Sequence, residues 1–265
     1  MSRFGRYQYN LKRFLGKTKW YSFFCLRIRD RAIDVIAGTH PNTNPFHHQW
    51  AMNRQLISFA KRYLSRIPEG SSVLDVGVGS APYWYLRPDL TWSGLDVSQG
   101  KYVDYVIDKD KSWPVPDKSF DFVFCTQVLE HVERPEFTVS EMERILKPGG
   151  VVILNAPFLY PFHGMPEDQA RYTTSQLQFL FRNFNVTECG NLGGVGSSMA
   201  TIYLNFINYK ISGSIFLQLI KLMFLPVWLL GNGITNLVLV SLDKFDNTNS
   251  FPLNTYLLAT TRQKP

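Results

Sequence analysis

The hydrophobic positions between residues 72 and 155 form short apolar runs, separated by turns and by segments with helical periodicity. Apolar runs of about 4–8 residues favour buried strands, whereas apolar residues three or four positions apart favour helices. Alternation of the two predicts a parallel α/β sheet. The predicted strands are residues 73–76, 92–98, 105–108, 121–125 and 151–155, and a helix before the last of them ends in the Lys-Pro-Gly-Gly of 147–150.

The first predicted strand runs into a turn that contains two glycines. Asp75 precedes Gly77 and Gly79. Because glycine has no Cβ, the backbone can approach a ligand closely at both positions. A dinucleotide-binding turn reads G-x-G-x-x-G/A and holds a pyrophosphate at a helix N-terminus, but Pro82 occupies the third position here and the carboxylate has the wrong charge. The turn therefore favours a ligand that carries an ammonium group.

The second predicted strand also ends in an acid, Asp96, which lies 21 positions after Asp75. This is close to the spacing of about 20 residues at which a carboxylate meets a ribose in βαβ nucleotide sites. The sequence therefore predicts a nucleoside-containing ligand at the carboxyl ends of these two strands.

Four motifs in register resemble the class I S-adenosylmethionine-dependent methyltransferases: VLDVGVG, GLDVS, FDFVFCTQVLEHV and ILKPGG. The resemblance covers about residues 70–190, with 254–263 as a last strand. Residues 156–173 are similar to methyltransferase-11-like proteins found with bacterial polysaccharide and lipid-glycan biosynthesis, although Gln169 and Ala170 replace their usual aromatic residues. The resemblance implies a Rossmann-like seven-stranded sheet with helices on both faces, and S-adenosyl-L-methionine as cofactor.

The same resemblance implies a role for each motif residue that binds cofactor. The amino-acid end would meet Asp75, Gly77 and Gly79, and the ribose would meet Asp96. Adenine would pack on Val97, and its amino group would donate a hydrogen bond to Asp108, with Asp110 as the competing acceptor. The floor near the methyl group would be formed by Gln127 and Leu129.

An alcohol that accepts a methyl group must lose its proton, and histidine is the usual acceptor at neutral pH. His163 follows the fifth strand, at the edge where open α/β sheets bind ligands, and is the predicted base; His131 is the second candidate. Four residues of the same loop are predicted to contact the substrate or to orient the imidazole: Glu167, Asp168, Arg171 and Tyr172. Alternatively, Asp168 and Arg171 form a structural ion pair and His163 caps the loop.

The composition predicts one folded α/β domain in a reducing, cytoplasmic compartment. Hydrophobic residues make up 45% of the 265 residues, which argues against disorder. The three cysteines have no paired spacing for a metal or disulfide. The neighbouring His47 and His48 lack a third ligand at zinc spacing, so no metal site is predicted. The N-terminus has no apolar segment typical of a secretory signal.

The charge is concentrated at one end of the chain. Residues 1–31 carry nine Lys or Arg and one Asp, a net charge of +8, and the remainder of the chain carries −1. Aromatic residues alternate with these cations, a combination that suits an anionic membrane surface or a nucleic acid. The alternative is a solvated extension whose aromatics pack on the domain. The predicted organisation is a basic extension, 1–45, and a methyltransferase domain, 46–265.

An apolar insertion is predicted at about 195–250, where this fold usually has a tight connection between its last two strands. Its two apolar runs, 215–230 and 234–240, are shorter than the ~20 residues that a spanning helix needs. So large an apolar surface is expected to be in contact with a membrane, another subunit or the protein core. An interfacial helical hairpin at the inner membrane face is the first interpretation, a homodimer interface or local core the second, and a true span the third.

Three functional hypotheses remain from the sequence. The first is methyl transfer to a hydroxyl of a sugar, a glycolipid or a related lipid-linked acceptor. The second is an RNA or quinone-like lipid methyltransferase, although nucleic acid is the less favoured partner. The third is a non-catalytic fold that binds cofactor, against which the intact motif residues argue.

Overall fold

The computed structural model describes residues 44–81, 83–108, 111–163 and 167–262, so the predictions for the basic extension and for Asp110 lie outside the described residues. The helices and strands follow in this order: α1 (Trp50–Leu64), β1 (Ser72–Val76), β2 (Thr91–Asp96), β3 (Tyr105–Val106), β4 (Phe120–Thr126), α2 (Pro135–Ile145), β5 (Leu146–Pro157), α3 (Thr174–Leu180), β6 (Asn185–Leu192), α4 (Val195–Ser212), α5 (Ile215–Met223), α6 (Leu225–Ser241) and β7 (Asn254–Thr260).

The seven strands form one sheet in the order β3-β2-β1-β4-β5-β7-β6. β7 is antiparallel to both of its neighbours, and the other neighbouring pairs are parallel. This topology confirms the predicted Rossmann-like methyltransferase sheet.

Two apolar layers cover the sheet, because successive strand residues point to opposite faces. Leu74, Val123 and Leu154 pack with residues of α2 and α3. Val73 and Phe124 pack on the other face with the buried side of α1. Helices therefore lie on both faces, as predicted, and the strand ends remain accessible at the edges.

The sheet register determines which residues meet at the carboxyl edge of the parallel strands. Pro157, the last residue of β5, pairs with Asn254, the first of β7, and Leu192, the last of β6, pairs with the same residue. The segment between β6 and β7 therefore leaves and returns at this edge. Helices α4, α5 and α6 all belong to that segment.

Helix α6 is longer than the sequence suggests. Pro226 lies in its first turn, where a missing backbone N–H costs no helical hydrogen bond. With the following 3-10 turn the segment Leu225–Phe245 spans 21 residues, and its length and composition are sufficient to cross a membrane. Each of the two apolar runs is shorter than this, and the helix reaches its length because it joins the end of the first run to the second.

Candidate active site

The turn after β1 has the backbone conformation that its glycines permit. Gly77 has φ +72° and Gly79 has φ +50°. The amide of Gly77 donates to the carbonyl of Leu95 at 2.7 Å, which holds the turn against β2. A Cβ at position 77 would overlap Cγ2 of Val128. A side chain at this position would therefore close the space between β1 and β4.

Asp75 lies at the end of β1 in a buried position. The indole Nε1 of Trp84 donates to its Oδ2 at 2.8 Å. Burial raises the pKa of Asp75 to about 7, and the nearby charge of Asp96 adds to the rise. With Gly77 and Gly79 it lines a cavity of about 240 Å³. A buried carboxylate of this kind gains most from a cationic ligand, since a positive charge offsets its desolvation.

Asp96 ends β2 and faces the same turn. Its Oδ2 accepts from the amide of Gly79 at 3.1 Å, and its Oδ1 accepts from the amide of Ser98 at 3.2 Å. Together with Gly77, Val97 and Ser98 it lines a larger cavity of about 420 Å³. The two cavities share Gly77 and Gln127. The acids at the ends of β1 and β2 therefore lie along one continuous groove.

Gln127 ties three strands together at the floor of this groove. It has φ +57°, a conformation uncommon for a residue with a side chain. Its Nε2 donates to Oδ1 of Asn155 at 2.8 Å and to Oδ1 of Asn254 at 3.1 Å. The hydrogen bonds to β5 and β7 thus compensate for the backbone strain and hold Gln127 in this conformation.

Two of the predicted cofactor residues do not face the groove. Leu129 is fully buried in the core between the sheet, α2 and α3, so its predicted place on the floor is wrong. Val128 lines the larger cavity instead. Asp108 is exposed and pairs with Lys111 at 2.9 Å, and the neighbouring Ile107 lines the cavity in its place. In both cases the residue that lines the cavity is the one directly before the predicted residue. Neighbouring side chains in an irregular segment point in different directions, and the sequence pattern does not determine which of them faces the cavity.

The two candidate bases form a pair. Nε2 of His163 lies 3.2 Å from Nε2 of His131, and His131 lines the larger cavity. Nδ1 of His131 lies 3.0 Å from the carbonyl oxygen of Glu167, whereas Nδ1 of His163 lies 3.2 Å from that of Pro161 and 3.3 Å from Oδ2 of Asp168. These oxygens only accept hydrogen bonds, so each neutral ring carries its proton on Nδ1. The two Nε2 lone pairs then face each other.

The environment of the pair keeps His163 neutral at physiological pH. Burial lowers the pKa of His163 below its usual value, and this effect exceeds the opposing influence of Asp168. Glu130 is fully buried nearby, and neither of its carboxylate oxygens has a hydrogen-bond partner among the described residues. Burial raises the pKa of Glu130 to about 8. A proton, or a metal ion, would be stabilised between these groups, since one donor atom from each of the three lies within 4.8 Å of the others.

The remainder of the predicted substrate loop is structural. Both nitrogens of the Arg171 fork pair with the buried carboxylate of Asp168, and the guanidinium also donates to the carbonyls of Ala170 and Tyr160. Both terminal nitrogens of Arg171 are thus engaged within the loop, which favours the alternative of a structural ion pair over an anion-binding role for Arg171. Tyr172 is buried and donates to the carbonyl of Leu129 at 3.1 Å, so it does not contact substrate either.

The ion pair nevertheless positions the histidine. The carboxylate of Asp168 accepts from the amide of His163 at 3.0 Å and also lies beside its ring. Glu167 contributes its carbonyl rather than its carboxylate, which accepts from Gln169 at 3.0 Å. Of the two predicted orienting acids, Asp168 orients His163, and the backbone of Glu167 orients His131.

Three residues of the site were not predicted from the sequence. Trp84 holds Asp75, Glu130 adjoins the histidine pair, and Tyr160 contacts the ring of His163 at 5.2 Å between centroids. Glu130 directly precedes His131, so the motif itself contained that signal. The other two come close to the site only through tertiary folding.

Comparison with known proteins agrees with this geometry. Residues 74–154 match the family model described as a methyltransferase domain. A ubiquinone biosynthesis O-methyltransferase of Thiobacillus denitrificans is 29% identical over 42% of this chain and 50% of its own length. A tRNA N(3)-cytidine methyltransferase of Mus musculus is 32% identical over 29% of this chain and 18% of its own length. The chain thus spans half or less of each relative's length.

Among solved structures, the Haemonchus contortus phosphoethanolamine N-methyltransferase 2, in complex with phosphomonomethylethanolamine and S-adenosylhomocysteine, has a TM-score of 0.51 at 18% identity. The likeness covers 87% of this chain and 59% of the solved one, and it concerns the fold alone. The family match over residues 74–154, the strand order and the acid-lined groove agree with a class I methyltransferase fold and with S-adenosylmethionine as its cofactor.

Proposed function

We propose that the chain transfers a methyl group from S-adenosylmethionine to a hydroxyl of a sugar, a glycolipid or a related lipid-linked acceptor. The observation that carries this proposal is the histidine pair beside the cofactor groove. His131 lines the same cavity as Asp96 and Gly77, and His163 contacts His131 directly. A neutral base next to the methyl position suits an oxygen nucleophile, which must lose a proton as it attacks.

The residues of the groove fit the cofactor. Asp75 would hold its ammonium group, Asp96 its ribose hydroxyls, and Val97 and Ile107 would pack on the adenine, since all four line the connected cavities. Gly77 leaves room that a Cβ would fill. When bound, the cofactor supplies a methyl group on a sulfonium, which is already activated for transfer.

The protein's own contribution is to position the acceptor and to accept its proton. The acceptor oxygen forms a bond to the methyl carbon as the carbon–sulfur bond breaks, and the electron pair of that bond stays on sulfur. The hydroxyl proton passes to Nε2 of His163, where the facing nitrogen of His131 shares it. Alignment and exclusion of water supply the rest of the acceleration, which can amount to about 7–11 kcal/mol in well-oriented reactions.

Two features support a lipid-linked acceptor. The insertion α4–α6 leaves the sheet at the same edge as the groove. Tyr160 contacts the ring of His163. Burial raises the pKa of Tyr160 to about 12, and the nearby Tyr209 of α4 adds to this rise, so Tyr160 lies between the histidine and the insertion. The acceptor side of the groove thus borders the most apolar part of the molecule. A quinone-like lipid is the second candidate, favoured by the similarity to a ubiquinone biosynthesis enzyme.

The proposal is tested with S-adenosylmethionine labelled on its methyl group, incubated with separate glycolipid, quinone and RNA fractions. We expect label in the glycolipid fraction. His163→Ala should reduce turnover by about 10²–10⁴-fold, the usual contribution of a general base, with cofactor affinity unchanged. His48→Ala serves as the control for loss of a histidine elsewhere. Label in RNA alone, or in no fraction while cofactor still binds, would refute the acceptor class.

The pH profile tests the base separately. Because the pKa of His163 is lowered, the imidazole is already neutral at pH 7. The rate should therefore increase with pH in the range below pH 6.5 and remain flat from pH 7 to 9. A rate that is lost with a chelator and restored by a divalent cation would overturn the base assignment in favour of a metal ion held by the Glu130, His131 and His163 group.

A further inference from the structure

Helices α4 and α6 of the insertion turn their small and polar residues towards the protein and their apolar residues outwards, the reverse of the usual arrangement. The buried side of α4 consists largely of small and polar residues: Gly196, Ser197, Ser198, Ala200, Thr201, Leu204 and Asn205. The buried residues of α6 are Asn232, Gly233 and Asn236. A helix on the surface of a soluble domain shows the opposite arrangement, with apolar residues towards the core. Small residues at helix contacts, joined by polar side chains, are typical of helices in lipid.

The polar side of α6 is fixed to the rest of the protein. Nδ2 of Asn236 donates to the carbonyls of Pro45 and His47 at 2.6 and 2.9 Å, and Nδ2 of Asn232 donates to that of Phe46 at 3.1 Å. These contacts lie at the middle of the helix. This part of α6 is therefore attached along its polar side to the segment before α1, although the length of the helix would allow it to cross a bilayer.

Close approach of the helices completes the inner side. A Cβ at Gly196 of α4 would overlap the carbonyl oxygen of Leu239 in α6, so the two backbones are in contact there. The hydroxyl of Ser197 donates to Asp243, whose other carboxylate oxygen accepts from the amide of Ser197 at 2.9 Å. The inner face is therefore closely packed and joined by hydrogen bonds, although Oγ1 of Thr201 and the Oδ1 atoms of Asn205 and Asn236 are buried with no partner among the described residues.

The outer side is apolar and exposed. Phe216 of α5 is 68% exposed and Val227 of α6 is 67% exposed. The remaining large exposed hydrophobic residues of the three helices are Met199, Ile202, Tyr203, Phe206, Tyr209, Leu217, Leu219, Leu222, Met223, Leu230, Ile234, Leu237 and Val238. Soluble monomers rarely expose an apolar patch of this kind, which marks a contact with another protein or with a membrane. We call these residues the apolar face.

A groove of about 390 Å³ opens within the apolar face, lined by residues of α4, α5 and α6. Lys221 borders it, lies 4.8 Å from the ring centroid of Trp228 and donates to Asn208 at 3.1 Å. An apolar channel with a cation and an indole at its rim matches an acyl chain below an anionic headgroup, since Lys and Trp favour the membrane interface.

Charge identifies the occupant as a bilayer. The 43 residues that precede the described part of the chain carry nine Lys or Arg against two Asp, together with many aromatic residues. They join the fold at Asn44, directly before the residues that bind α6. Positive charge in the same chain as an apolar face is complementary to anionic headgroups above acyl chains, and each surface cation contributes about 1 kcal/mol to such binding.

We propose that the apolar face of α4, α5 and α6 inserts into one leaflet of an anionic membrane, parallel to its plane, and that the positive charge of residues 1–43 strengthens the attraction to the headgroups. The protein would then be peripheral at the cytoplasmic face, with the cofactor groove at the edge of the sheet from which the insertion leaves. The inference concerns membrane binding and does not require the proposed methyl acceptor.

Flotation of the full-length protein with vesicles tests this surface, using neutral phosphatidylcholine vesicles and vesicles that also contain phosphatidylglycerol. We expect co-flotation with the anionic vesicles and a decrease as salt rises. The double variant Leu230→Glu with Ile234→Glu should reduce the bound fraction at least tenfold while S-adenosylmethionine binding remains unchanged. Phe179→Glu, an equally exposed aromatic on α3, is the matched control and should bind as the wild type does.

A second variant separates the two contributions. Replacing Lys12, Arg13, Lys17 and Lys19 by Gln removes four of the nine cations of residues 1–31, and it should weaken the dependence on anionic lipid and salt without changing the weaker binding to neutral vesicles. A full-length protein that ignores both kinds of vesicle would overturn the proposal. If it forms a dimer that the Leu230/Ile234 variant dissociates, the apolar face is an interface between two copies. Retained cofactor binding in all variants would show that the methyltransferase domain is unaffected by either result.

Discussion

The sheet and the insertion use the same residue types in opposite ways. In the sheet, Leu154 is fully buried, whereas Asp96 lies at the end of β2 and lines the groove. In the insertion, Asn236 is fully buried whereas the next residue, Leu237, is 55% exposed. Periodicity identifies the two faces of an element but does not determine which face meets protein. The difference teaches that the environment of the outer face must be inferred from packing, and lipid is the environment proposed for it here.

The largest effect is expected when one leucine in the sheet core and one leucine on the outer face of α6 are each replaced by glutamate. Leu154→Glu places a charge in the sheet core and should abolish folding or cost more than about 4 kcal/mol of unfolding free energy. Leu237→Glu should change that free energy by less than about 0.5 kcal/mol, because its side chain leaves the protein surface. Urea denaturation measures both. A large loss in the second variant would mean that the outer face of α6 is buried.

A glycine pair sharpens the account of the groove. Gly77 and Gly70 have nearly equal positive φ, +72° and +75°, but a Cβ meets Val128 at the first and nothing within 4 Å at the second. Each alanine substitution should cost about 1 kcal/mol for backbone strain. Gly77→Ala should in addition weaken cofactor binding more than tenfold, as measured by calorimetry. Equal affinity in the two variants would show that the turn does not contact the cofactor.

The smallest effect concerns pH and Asp75. Its pKa in the folded protein, about 7, lies above its usual value of 3.8 because of burial. The folded state therefore binds the proton more tightly, so this group's contribution to stability is greatest below pH 4 and declines as the pH rises towards 7. Asp75→Asn retains an acceptor for Trp84 without the ionisation. We expect the stability of the variant relative to wild type to increase between pH 5 and 8.

Cofactor binding should respond to the same ionisation in the opposite direction. If the ammonium group pairs with ionised Asp75, affinity should increase from pH 5.5 to 7, by at most about tenfold per pH unit for one proton. The Asp75→Asn variant should show no such slope. A slope that persists in the variant would assign the linked proton to another group.

The sheet was predictable because its signals are local: apolar runs, their spacing and the acids at their ends appear in order along the chain. Asp75, Gly77, Gly79 and Asp96 line the groove for this reason. The directions of Leu129 and Tyr172 were not predictable, because each depends on the turn of an irregular segment against the core. The contact between His131 and His163 joins residues 32 positions apart and also needed the structure.

The insertion illustrates a further limit of sequence reasoning. Its apolar content was evident from the sequence, which predicted that the apolar surface contacts a membrane, another subunit or the core. The buried contacts of Asn232 and Asn236 with residues 45–47 lie about 190 positions apart in the chain, so only the fold reveals that the polar side faces inward. The sequence shows that a helix has a polar and an apolar face, but which of the two faces the protein depends on the fold of the whole molecule.

Calorimetric titration with S-adenosylmethionine tests the central claim most directly. The wild type should bind one equivalent, and Asp96→Ala should lose the charged hydrogen bonds to the ribose, a cost of about 1.5–3 kcal/mol. That cost corresponds to a loss of affinity of roughly 10- to 150-fold. Unchanged affinity in the variant, or tighter binding of NAD than of S-adenosylmethionine by the wild type, would contradict the account.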